Sequence, residues 1–251
     1  MGNPVSALIV DDDPGTLQTL NYVLTEMGYE VETAKDGFAA IELIKERPFD
    51  VISTDMKMPG MNGIDLLKEI NRLTPETTTL VMTAYATDEL EQEAKREGAL
   101  AVLPKPLDLD KVISFIEEFS AQKSKLILDD DLNFCKSFQN ILNEKGYDTA
   151  FATETDKAID LLLESKHHVI FLDMKLNRVT GLDALAAIKK VDPAVIIILI
   201  TGYREEMAGQ IEECLKKSAH TCLYKPLDID VLLKLLKDME KEELQQILEG
   251  R

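Results

Sequence analysis

No apolar run in this chain reaches the roughly 18 residues that a membrane-crossing helix needs, so no span is expected. The beginning, Met1-Gly2-Asn3-Pro4, also lacks the basic and apolar segments of a secretion signal, and the expected location is the cytoplasm. Cysteine is scarce: Cys135, Cys214 and Cys222 are an odd number without metal-ligand spacing, which argues against a disulfide framework and a zinc site. Reduced thiols fit the same compartment. Positive charge is in deficit, with 28 Lys+Arg against 46 Asp+Glu and a net charge of −18. Residues 1–121 hold 10 of the basic and 23 of the acidic residues, a net of −13, which leaves −5 for the rest. Such a surface repels phosphate backbones, so direct nucleic-acid binding is not expected, whereas cations and basic protein surfaces are favoured. No GxxxxGK[ST] loop occurs, and nucleotide hydrolysis has no support.

What the chain does have is a repeat. Asp11, Asp12, Asp55 and Thr83 recur 118 residues later as Asp129, Asp130, Asp173 and Thr201, and Lys105 recurs 120 later as Lys225. Scattered acids arise readily in a chain this acidic, but a five-member set of three residue types repeated in order does not. Two homologous domains follow, expected at 1–121 and 125–251, each with its own site and each near the common domain size.

Within the first copy, short apolar runs alternate with amphipathic helical patterns. Ala7-Leu8-Ile9-Val10 reads as a buried strand, followed by a helix from about Pro14 to Met27 closed by Gly28. Further strands are expected at about 30–34, 50–54, 78–83 and 100–103, with helices at about 37–47, 63–73, 88–97 and 108–120. The second copy repeats the scheme through Leu126–Leu128, Val169–Leu172 and Val195–Ile200, and ends in a longer helix from about Asp230 to Leu248. Uniformly apolar strands joined by helices predict an α/β fold: two (βα)5 doubly wound parallel sheets, with the strand order 2-1-3-4-5 of flavodoxin-like folds. Sites in such sheets lie beyond the C-terminal strand ends, which is where the repeated residues fall.

Clustered carboxylates repel one another, and a cation resolves the conflict. Asp12 and Asp55, with the backbone carbonyl of Lys57, are hard oxygen ligands of the kind Mg²⁺ takes. Lys105 adds a fixed positive charge and Thr83 a short hydroxyl. Around a carboxylate oxygen of Asp55 these parts form a receptor for a phosphoryl group, and a carboxylate can itself be the nucleophile.

The motifs that carry this set resemble the receiver domain of bacterial response regulators. In copy one they are Leu8-Ile9-Val10-Asp11-Asp12-Asp13-Pro14, Thr54-Asp55-Met56-Lys57-Met58-Pro59-Gly60-Met61-Asn62-Gly63, Met82-Thr83-Ala84-Tyr85 and Leu103-Pro104-Lys105-Pro106-Leu107. In copy two they are Asp129-Asp130, Leu172-Asp173-Met174-Lys175, Gly181, Ile200-Thr201-Gly202-Tyr203 and Tyr224-Lys225-Pro226-Leu227. The resemblance implies that Asp55 and Asp173 accept the phosphoryl group. It implies that Asp11, Asp12, Asp129 and Asp130, with Lys57 and Lys175 through their carbonyls, belong to the Mg²⁺ sites. Thr83 and Thr201 would be the switch hydroxyls, and Lys105 and Lys225 would pair with the phosphate. A histidine kinase or histidine phosphotransfer protein would be the donor, a downstream protein would read the output, and a homodimer fits the family. Self-catalysed phosphotransfer, rather than turnover of an external metabolite, is the implied chemistry.

The departures are specific. The family's switch aromatic usually lies three residues before the lysine, where this chain has Val102 and Cys222. Copy two carries Leu176-Asn177-Arg178 in place of Met58-Pro59-Gly60, Ser218 in place of Gly98, and two extra residues between Thr201 and Lys225. Tyr85 and Tyr203, two residues past each threonine, stand where a ring can shield the phosphoryl group from water. The alternative reading is a scaffold or adaptor in which one or both copies, the second before the first, act by phosphate-independent contacts. A piece of a hybrid kinase or larger regulator is a third.

Overall fold

The computed structural model describes residues 4–203 and 205–249. The first repeat runs β1 (Ser6–Val10), α1 (Pro14–Glu26), β2 (Glu30–Ala34), α2 (Gly37–Glu46), β3 (Val51–Asp55), α3 (Gly63–Leu73), β4 (Thr78–Thr83), α4 (Asp88–Arg96), β5 (Ala101–Pro104) and α5 (Leu109–Gln122). The second runs β6 (Ser124–Leu128), α6 (Leu132–Glu144), β7 (Asp148–Ala152), α7 (Thr155–Glu164), β8 (Val169–Asp173), α8 (Gly181–Val191), β9 (Ile196–Thr201), α9 (Ala208–Lys217), β10 (Thr221–Tyr224) and α10 (Ile229–Glu249). Each set of five strands makes one parallel sheet, ordered β2-β1-β3-β4-β5 and β7-β6-β8-β9-β10, so the expected doubly wound order holds in both. By compactness the chain divides into a unit that runs to Ile116 and takes in the residues from Lys241 onward, and a unit Glu117–Glu240. This division differs from 1–121 and 125–251, because compactness follows contacts and the repeat follows chain order. Among the described residues no helix is long and apolar enough to cross a membrane.

Central parallel strands covered on both faces should be largely apolar, as β1, β8 and β9 are. Leu8, Val10 and Ile52 pack toward Ala40, Ile44, Leu66 and Ile70 of α2 and α3, while Leu20, Leu24, Val112 and Ile116 of α1 and α5 cover the opposite face. In the second repeat Ile127, Phe171 and Ile198 meet Phe138, Leu142, Leu232 and Leu236. Helix starts are set by short polar side chains. Asp13 accepts the Thr16 amide at 2.9 Å, Asn62 accepts that of Asp65 at 2.9 Å, and Asp131 accepts those of Asn133 and Phe134 at 2.8 and 3.1 Å. Gly28 follows α1 at φ +88°, the left-handed position that ends a helix.

The structure places several features beyond the sequence patterns. Strand β6 begins at Ser124 and so includes Lys125, which is fully buried; its ammonium pairs with Glu240 at 2.9 Å and lies 4.8 Å from the Tyr147 ring centre. Only Lys123 separates α5 from β6; Gln122 and Ser124, which fall between the expected domains 1–121 and 125–251, belong to these two elements. His167 is buried between the Ser124 and Ser165 hydroxyls, at 2.9 and 3.2 Å, and burial lowers its pKa. Ser218 keeps the positive φ of Gly98, +124° against +99°, with a side chain that disfavours it.

Candidate functional site

Strand register assembles the first site. Val10 pairs with Thr54, Asp55 with Met82, and Thr83 with Pro104, so Asp11, Asp55, Thr83 and Lys105 leave adjacent strand ends together. Asp11 is fully buried, Asp55 and Thr83 nearly so, while Asp12 stays exposed at the mouth. The Lys105 ammonium bridges two carboxylates, reaching Asp11 Oδ2 at 2.7 Å and touching Asp55 Oδ1. The second oxygen of Asp55 accepts the Lys57 amide at 2.7 Å, and Asp11 Oδ1 accepts that of Asp13 at 2.9 Å. The Thr83 hydroxyl accepts the Tyr85 amide at 3.1 Å. Burial opposes the charge on Lys105, but its bonds to Asp11 and Asp55 outweigh that and hold its pKa above the usual lysine range.

Glycine is required beneath the ends of β3 and β8. A Cβ on Gly63 would lie 2.5 Å from the Asp55 carbonyl oxygen, and one on Gly181 would lie 2.8 Å from Met174 Cα. These close approaches let α3 and α8 start directly under the strand ends, and the Gly63 amide donates to Met56 O at 2.9 Å.

The second site repeats the arrangement. Lys225 Nζ lies 2.5 Å from Asp129 Oδ2 and 3.2 Å from Asp173 Oδ1, and Asp173 Oδ2 accepts the Lys175 amide at 2.9 Å. Each lysine precedes a cis proline, Pro106 or Pro226. Carboxylate oxygens of Asp129, Asp130 and Asp173 all gather within 4.8 Å of one another, a set of hard donors that fits a divalent cation. Asp11, Asp12 and Asp55 are not drawn into so tight a group. Burial raises the pKa of Asp173, the Lys225 charge opposes that rise, and the Asp129 charge adds to it.

Against this geometry, the family model for the response regulator receiver domain matches residues 7–117 and again 126–237. The chain belongs to that family. It is a pair of receiver domains of the kind used in two-component signalling. It is 30% identical over 201 residues to a response regulator receiver protein of Anaeromyxobacter sp. (strain Fw109-5), covering 79% of this chain and 83% of that protein. It is 38% identical to sporulation initiation phosphotransferase F of Bacillus subtilis (strain 168), over 47% of this chain and 94% of that protein. It is 41% identical to the transcriptional regulatory protein ZraR of Klebsiella oxytoca, over 44% of this chain but 25% of ZraR's length.

The two receivers differ where the repeat breaks down. In the first, Gly60 has φ +83°, and a Cβ there would meet the Phe38 ring at 3.1 Å. In the second receiver the loop instead pairs Lys175 with Thr180 in a short antiparallel bridge, and Arg178 makes an ion pair with Glu154 at 3.3 Å. Sequence reasoning gave Phe134 and Cys135 no part in the site. The Phe134 ring lies 4.1 Å from Lys225 Nζ, and Cys135 donates to the Asp129 carbonyl at 3.2 Å. Burial, with the Asp129 charge, pushes the Cys135 thiol up to about 12, so it stays protonated. Stepping back 118 residues finds Thr16 and Leu17, a contrast the sequence already carried.

Proposed function

We propose that this tandem receiver takes phosphoryl groups from phosphohistidine onto Asp55 and, in the second domain, onto Asp173, and that each phosphorylation changes a protein-binding face. The observation that carries this reading is the twice-built lysine bridge. In each domain one oxygen of the acceptor carboxylate is held by the lysine, and the other by the amide two residues on. Such a carboxylate is oriented for in-line attack rather than free to rotate. An Asp55 oxygen attacks phosphorus, the P–N bond to the donor imidazole breaks, and the neutral imidazole departs with a proton from solvent. Lys105 then turns part of its charge from Asp55 to the new phosphoryl oxygens, and Thr83 donates its hydroxyl to one of them. Mg²⁺ would be held by Asp11, Asp12, Asp55 and the Lys57 carbonyl, and by Asp129, Asp130, Asp173 and the Lys175 carbonyl, and would supply charge neutralisation at the phosphoryl oxygens. Residues 1–121 and 125–251 each act as one receiver, in the cytoplasm, opposite a histidine kinase or phosphotransfer protein.

A second reading applies to the second receiver alone. Its rebuilt loop from Leu176 to Val179 favours docking by contacts that need no phosphate. Intact-mass analysis after Mg²⁺ and acetyl phosphate separates the two, using wild type, Asp55→Ala and Asp173→Ala. Two added phosphoryl groups, each lost with its own aspartate, are expected. One group, lost only with Asp55, makes the second receiver a docking module; none with acetyl phosphate or with a phosphorylated kinase removes the acceptor reading.

The wall beside the acceptor has a predictable effect. The Lys57 ammonium lies 4.5 Å from the Tyr85 ring centre, and that of Lys175 lies 3.7 Å from Tyr203. Each pair brings the lysine two residues past the acceptor aspartate over the tyrosine two residues past the threonine, which narrows the approach of water. Tyr85→Ala should therefore shorten the lifetime of the Asp55 phosphate several-fold. An unchanged lifetime would leave Tyr85 an ordinary surface ring.

A further inference from the structure

Both receivers lack the aromatic residue three positions before the lysine, so a threonine that turns toward phosphate has no ring to carry the motion outward. The second receiver contains another connection. The Thr201 hydroxyl accepts the Tyr203 amide at 3.0 Å and donates to Met207 Sδ at 3.7 Å. A hydroxyl has one proton to donate. That proton cannot serve the thioether and a phosphoryl oxygen at once.

Met207 is also the residue on which α9 begins. It occupies the N-cap position, no side chain caps the helix there, its carbonyl accepts the Ile211 amide at 2.9 Å, and its own amide donates to Tyr203 O at 3.1 Å. Its side chain packs against the cluster that contains Ile211 and Cys214 of the same helix. The first receiver is built otherwise. The position 118 residues earlier is Glu89, exposed and already inside α4, and Thr87 caps that helix by accepting the Leu90 amide at 3.3 Å. Allowing for the repeat offset, α9 starts two residues later than α4, which uses the two extra residues of the second copy. Thus α4 has a side-chain cap of its own, whereas α9 starts on a residue whose side chain instead accepts the Thr201 proton.

We propose that Met207 is a positioning residue that ties the Thr201 hydroxyl to the first turn of α9, in place of the missing aromatic. Sulfur is a weak acceptor, so the contact holds the hydroxyl but yields it to a stronger one. When Thr201 turns to a phosphoryl oxygen on Asp173, Met207 is released and the first turn of α9 loosens. This last step rests on the acceptor reading above; the tie itself does not.

The test is a double-variant cycle on the full chain, read by hydrogen exchange of the first-turn amides of α9 without phosphate. Met207→Leu keeps the volume and removes the sulfur; Thr201→Val keeps the shape and removes the hydroxyl. Each is expected to speed that exchange on the order of three- to tenfold, the worth of one modest hydrogen bond, and the pair together no further. Exchange on the first turn of α4 should not change. Additive effects, or no effect of Met207→Leu, would overturn the proposal. Acetyl phosphate with Mg²⁺ should then accelerate α9 exchange in wild type and add nothing in Met207→Leu. Mass analysis of the same samples reports whether Asp173 took the phosphoryl group, so a failed acceptor and a failed relay give different results.

Discussion

Phe171→Ala is expected to destabilise the second receiver by about 3–5 kcal/mol, while Ser53→Ala at the equivalent position of the first changes stability by less than about 1 kcal/mol. Phe171 is fully buried in the middle of β8, its ring 5.0 Å from that of Phe138, which lies 5.5 Å from Phe134. Ile127, Ile198, Leu232 and Leu236 close around the pair. Truncation removes the transfer energy of the ring and leaves a void that β8, fixed by pairing on both sides, cannot collapse into. Stepping back 118 residues replaces Phe138 with Leu20 and Phe171 with Ser53. There the same layer already tolerates a cavity of about 20 Å³, lined by Leu20, Ser53, Val112 and Ile116 among others. Exchange of the β8 amides, followed against urea, measures the loss directly. A change below about 1 kcal/mol would mean that the aromatic layer is not what holds this domain together.

Lys105→Met should cost the first receiver about 1–3 kcal/mol in the absence of divalent cations, and Mg²⁺ should recover much of it. Removing the ammonium leaves Asp11, fully buried, beside Asp55, nearly so, with no fixed positive charge between them. The cost falls below that of breaking a fully buried pair, because the Lys105 side chain is 22% exposed and the crevice admits water. The pH dependence has a definite sign. The folded-state pKa of Lys105 is raised, so its contribution is complete below the unfolded lysine value and is lost as pH rises through the folded one. The gap between wild type and variant should thus stay level over roughly pH 6 to 9 and narrow only in strong alkali. Denaturant titrations with chelator and with Mg²⁺ decide the matter. Equal stability of variant and wild type in chelator would show that water alone neutralises the pair.

The repeat offset, the apolar strand runs and the acidic strand ends were enough to place both sites, since each depends on local patterning: uniform burial makes a strand apolar, and a strand end in a parallel sheet points into the crevice. Asp11, Asp55, Thr83 and Lys105 converge as those patterns require, and so do Asp129, Asp173, Thr201 and Lys225. Features that depend on partners distant in the chain were not legible. Lys125 breaks an apolar strand run, and its ammonium is met by Glu240, 115 residues on, by the Gln122 carbonyl and by the Tyr147 ring. Cys135 and Phe134 read as ordinary helix residues until folding sets them against Asp129 and Lys225, 96 residues apart. The tie from Thr201 to Met207 spans few residues, yet it needed the late start of α9, which helical periodicity does not resolve. By itself, then, the sequence determined the number of domains, their strand order and which residues gather at each strand end. Only the tertiary structure decided which charges are neutralised and where a hydroxyl's single proton goes, because those depend on distances between residues that no pattern along the chain encodes.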